Sequence, residues 1–144
     1  MYRLAKEFTF AMGHRLSCHS GLCRNFHGHN YRVLVGIKSK ELDKNGMVMD
    51  FSDLKAVVEG FLYAFDHALM VNESADEELI NKMTEALGGL KTLVVPFEPT
   101  AENMAREIYQ NVGKAIEKMY DGVKMDYVTV YETDNSAATY DQDQ

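Results

Sequence analysis

Apolar and polar residues alternate at the start of the chain: Leu4, Phe8, Phe10 and Met12 share one parity, Glu7 and Thr9 the other. Successive strand side chains point to opposite faces, so this segment reads as a half-buried strand, and His14 continues its apolar parity. A second strand is expected from about Tyr31 to Lys38, with Tyr31, Val33, Val35 and Ile37 on one face. DKNG at 43–46 is a turn signal. A helix should follow, capped by Asp50 with Asp53 three residues on. Phe51, Leu54, Val57, Val58, Phe61, Leu62 and Phe65 recur at helical spacing, which carries the helix to Asp66-His67. Residues 75–87 predict a shorter acidic helix stopped by Gly88-Gly89, and TLVVPF at 92–97 a short strand. Thr100, after Pro99, caps a second long helix with Met104, Ile108, Val112, Ile116 and Met119 along one side. Alternation returns from Met125 to Thr133, and a tail strand fits 137–140.

Two strands before a helical middle and one or two after it predict an α+β fold, an antiparallel sheet with helices packed on one face. The bare face and long edges then need a cover, which points to oligomerisation.

At 144 residues, 46% of them apolar, one domain spanning 1–144 is expected. No run approaches the roughly 18 apolar residues of a membrane span. MYRLAKEFTF lacks the basic and apolar blocks of a signal peptide, so a cytoplasmic protein is expected, with Cys18 and Cys23 reduced. A net charge of −7 without a basic cluster disfavours nucleic acid as a partner.

The chain has two cysteines and five histidines, and CRNFHGHNY at 23–31 concentrates three of them. On an extended backbone His27 and His29 project from one face, about 7 Å apart. They share the parity of Tyr31, and pairing of the first two strands would bring His14 beside them. Three imidazoles with one open position suit a catalytic zinc ion. Against this, His-x-His also arises by chance, and core histidines are often simply hydrogen-bonded. Cys23 reads as a zinc ligand, as a nearby general base with a lowered pKa, or as a cysteine without a role. Cys18 and His19 offer an alternative ligand set. Asp66-His67 pairs an acid with an imidazole, yet adjacent residues seldom face each other, and a helix terminus explains a histidine there equally well. Glu132 continues the parity of Val128 and Val130. A carboxylate there either sees water at the strand end or meets a planar ligand with two adjacent N–H donors, such as a pterin edge.

FTFAMGHRL, CRNFHGHNY, GMVMDFSDLK, FDHALMVN, PTAENMA and VTVYET, taken in order, resemble the 6-pyruvoyl-tetrahydropterin synthase family. The likeness covers roughly residues 5–133 and is greatest to the bacterial 6-carboxy-tetrahydropterin synthases of queuosine biosynthesis. It implies the tunnelling fold, with sheets of several subunits joined into a barrel as a trimer or hexamer and active sites between subunits. It implies Zn2+ on His14, His27 and His29, with Cys23 as general base. Asp66 and His67, from a neighbouring subunit, would complete the proton-transfer set. Glu132 would anchor the pterin, with Thr100 and Glu102 nearby. The implied substrate is 7,8-dihydroneopterin triphosphate, and the products are 6-carboxytetrahydropterin, acetaldehyde and triphosphate. The sister activity stops at 6-pyruvoyl-tetrahydropterin, and a non-catalytic pterin or purine binder is the remaining alternative. Arg15 and Arg24 are the nearest cations for the triphosphate. FAMGH departs from the family's F-x-A-A-H, and FDHALMVN is one residue longer than its counterpart, but no ligand or base is replaced.

Overall fold

The computed structural model describes residues 1–142. Its frame is a long hairpin of β1 (Tyr2–His14) and β2 (His27–Ser39), paired antiparallel from Tyr2↔Ser39 to His14↔His27. Helix α1 (Phe51–Leu62) follows, capped by Asp50, whose carboxylate accepts from the Ser52 amide. Then come β3 (Leu69–Asn72), α2 (Glu73–Leu87), β4 (Thr92–Val95), α3 (Ala101–Met119), β5 (Lys124–Thr133) and β6 (Ser136–Asp141). The sheet order is β4-β3-β1-β2-β5-β6.

The four long strands are antiparallel, as the alternation predicts, but β3 runs parallel to β1 and β4 parallel to β3. Four-residue strands are too short to show a period of two, so β3 left no pattern to read. The second strand begins at His27 rather than near Tyr31, which places HGH within the ladder. Helix α1 stops at Leu62, short of Asp66-His67. Phe65 keeps the helical spacing and is buried, but it sits in the turn that follows, its amide bonded to the Leu62 carbonyl. Phe51 and Met119, at the first and last positions of their helices, face solvent.

One sheet face supplies Phe8, Phe10, Tyr31, Val33 and Val130 to the core, and α3 lays Met104, Ile108, Val112 and Ile116 within it. Gly36 in β2 admits the Tyr127 ring, since a Cβ there would stand 2.4 Å from it.

Candidate metal and catalytic site

The hairpin register builds the centre of the site. His14 and His27 are cross-strand partners at its open end, and His29 stands two residues along on the same face. Their ring centroids lie 4.6, 5.1 and 4.9 Å apart, and one donor atom from each falls within 4.8 Å of the others. His14 is buried; His27 and His29 are half-buried. His14 Nδ1 lies 2.7 Å from the Pro99 carbonyl and His27 Nδ1 2.8 Å from the Asn25 carbonyl. A carbonyl only accepts, so each Nδ1 carries the proton and each Nε2 is left with a free lone pair. Among the described residues, the buried Nε2 atoms of His14 and His29 have no hydrogen-bond partner. Orphaned buried polar atoms are rare in native folds, and here two aim at one point.

Burial pushes the His14 imidazole down to about 4 against the opposing Pro99 bond, and lowers His29 against the pull of Glu132. Both rings are therefore neutral near pH 7, the form that ligates. Three imidazole nitrogens, two of them oriented by backbone carbonyls, fit a metal ion with an open position. Tyr31 floors the cluster edge-on to His14 and His29, and burial raises its phenol well above the usual range. Glu132 Oε1 lies 4.0 Å from His14 Nε2, which puts the carboxylate at the edge of the same centre.

Cys23 sits in a single 3-10 turn, Leu22–Arg24, in the loop joining His14 to His27. The Leu16 amide donates to the Cys23 carbonyl at 2.8 Å, folding the loop back on itself. The thiol is half-buried and stands outside the three-histidine donor cluster, as do Cys18 and His19. His19 instead accepts from the Gly21 amide at 2.8 Å. Arg24 is exposed. Arg15 is committed elsewhere: its guanidinium bonds the Asp76 carboxylate and the Arg24 carbonyl, so it is not the free cation that proximity suggests.

Asp66 and His67 lie beside β1, on its β3 side. Asp66 Oδ1 accepts from the Ala11 amide at 3.1 Å, and the His67 amide donates to the Ala11 carbonyl at 2.6 Å. Contrary to the expectation for neighbours in sequence, the two side chains meet, Asp66 Oδ1 to His67 Nδ1 at 2.9 Å. His67 adopts a left-handed backbone at φ 62° in the turn beyond α1. The Ala11 bond is the largest influence holding the Asp66 carboxyl below its ordinary range. His67 is 79% exposed and Asp66 46%, and neither bonds Cys23 among the described residues. Thr100 caps α3, accepting from the Asn103 amide at 3.2 Å, while Glu102 in the first turn is exposed.

The fold thus gathers His14, His27, His29 and Glu132, tethers Cys23 to the same end, and leaves Asp66-His67 presented outward. Sequence reasoning missed the Pro99 and Asn25 carbonyls, which no side-chain pattern marks, and Asp76, one acid in a run of them.

Residues 3–143 match the family model of 6-pyruvoyl tetrahydropterin synthase. A 6-carboxy-5,6,7,8-tetrahydropterin synthase of Haemophilus influenzae is 36% identical, over 99% of this chain and 100% of its own. One of the same name from Aquifex aeolicus is 32% identical over 99% of each. The 6-pyruvoyl tetrahydropterin synthase of Caenorhabditis elegans superposes with a TM-score of 0.69 at 23% identity, over 99% of this chain and 96% of that one.

Proposed function

Because this chain belongs to the 6-pyruvoyl tetrahydropterin synthase family, we propose that it is a 6-carboxy-5,6,7,8-tetrahydropterin synthase serving queuosine biosynthesis in the cytoplasm. Its substrate is 7,8-dihydroneopterin triphosphate, and its products are 6-carboxytetrahydropterin, acetaldehyde and triphosphate. The observation that carries this reading is the convergence of three imidazoles at the end of the hairpin, two of them with buried Nε2 atoms that find no partner among the described residues.

His14, His27 and His29 hold a zinc ion. When bound, zinc supplies Lewis acidity to the hydroxyls of the substrate side chain. Glu132 accepts from the adjacent N–H groups of the pterin ring, which fixes the side chain toward the histidines. Cys23 takes a proton from that side chain as general base. The Asp66 carboxylate orients His67 through Nδ1, and His67 returns protons while triphosphate leaves. Thr100 and Glu102 line the approach to the pterin. Exposure of Asp66 and His67 suits a homo-oligomer in which the pair serves the site of a neighbouring subunit.

Incubating the zinc-loaded protein with 7,8-dihydroneopterin triphosphate tests this. Acetaldehyde and 6-carboxytetrahydropterin are expected; 6-pyruvoyl-tetrahydropterin without acetaldehyde assigns the sister activity, and binding with no triphosphate release refutes catalysis.

A further inference from the structure

The loop between His14 and His27 carries the thiol, and Arg15 is its first residue. Arg15 Nε donates to the carbonyl of Arg24, the residue after Cys23, at 2.8 Å. Arg15 Nη1 donates to Asp76 Oδ1 at 2.5 Å. Asp76 lies in the first turn of α2 and is 1% exposed. Among the described residues its Oδ2 has no partner and Arg15 alone compensates this buried carboxylate. A buried ion pair is a poor device for stability, because desolvation offsets the attraction; its well-attested use is to fix one arrangement among several. A planar guanidinium held on one edge by a carboxylate presents its remaining N–H in a set direction. Here that direction is the backbone of the turn bearing Cys23.

A second anchor secures the same loop. The Ser17 hydroxyl bonds Glu98, and the Ser17 amide reaches Glu98 Oε2 at 3.3 Å. Between the anchors, the Leu16 amide donates to the Cys23 carbonyl. Among the described residues no other hydrogen bond or ion pair links the Leu22–Arg24 turn to α2, and the turn buries no residue of its own.

We propose that Asp76 is a positioning residue for Cys23, holding through Arg15 the backbone of the turn that presents the thiol to the histidine centre. The proposal deepens the functional reading above and rests on it for the role of the thiol. In this arrangement α2 supplies the fixed end of the brace.

The test uses the zinc-loaded full chain with Asp76→Asn, which keeps the shape and removes the charge. A second variant, Arg15→Met with Asp76→Leu, removes both charges and strands neither. Ile80→Val trims a buried α2 side chain without touching the loop. Both brace variants should speed amide exchange at Leu16 and Asn25 by about tenfold relative to residues 31–37 of β2. They should lower kcat by about tenfold with KM within about twofold and zinc content unchanged, as misplacing a reacting group does. Ile80→Val should lower Tm and leave both readouts alone. Unchanged exchange in both brace variants overturns the proposal. So does a raised KM at constant kcat, which would make Arg15 a substrate contact, or an Ile80→Val variant that reproduces the losses. If the unmodified chain turns nothing over, the functional reading fails, and the exchange data alone decide whether the brace holds the turn.

Discussion

Protonating His14 should unlatch part of the metal-free protein, and the size of the effect follows from its burial. Its side chain is 1% exposed, and desolvation takes the imidazole from 6.5 to about 4. Because the folded value lies below the unfolded one, the unfolded chain binds more protons between these limits. The associated stability is complete above about pH 6.5 and drains away as pH falls to about 4. At about 1.4 kcal/mol for each tenfold change in proton affinity, the loss is about 3 kcal/mol. Urea unfolding of the chelator-treated protein at several pH values between 7.5 and 4 measures it, with His14→Leu as reference. The reference cancels the titration of every carboxylate the two chains share. Relative to His14→Leu, the parent chain should lose about 3 kcal/mol across that window. A difference that stays flat would mean that the folded protein accommodates the imidazolium, and the account of a desolvated, neutral His14 would be refuted.

Three further outcomes are expected. Cys23→Ala should abolish turnover while bound zinc persists, whereas His27→Ala should lose both; metal analysis beside activity separates them, and loss of zinc from Cys23→Ala would make the thiol a ligand. Gly36→Ala should destabilise the chain by about 1–3 kcal/mol in chemical denaturation, because the new methyl group would meet the Tyr127 ring at 2.4 Å. Thr100→Ala should cost about 1 kcal/mol through loss of the α3 cap; a matching fall in zinc affinity would show the helix start also steadies the Pro99 carbonyl on His14.

Much of this architecture was legible because period-two alternation survives in long strands. The parity that runs from Leu4 through Met12 lands on His14, and that of Tyr31 and Val33 extends back to His29 and His27, so the three imidazoles were predictable as one face. Thr100 and Asp50 announced their helices through the capping chemistry they perform. What escaped had no local signature. Phe65 keeps helical spacing although the helix has ended, since burial follows the core and not the hydrogen-bond pattern. The contact between Asp66 and His67 arises in a turn where a non-glycine residue adopts a positive φ, which no neighbour in sequence demands. Asp76 looks like any other acid of α2 until its pairing with a residue 61 positions away is seen.

Two of the three imidazoles take their tautomer from main-chain oxygens, those of Pro99 and Asn25. Every residue type carries such an oxygen, so no point substitution at either place can delete the acceptor itself. Drift in the surrounding side chains can therefore proceed while the lone pairs stay pointed inward. Only changes that move the backbone, such as an insertion ahead of α3 or a slip of the hairpin register, would turn these rings away.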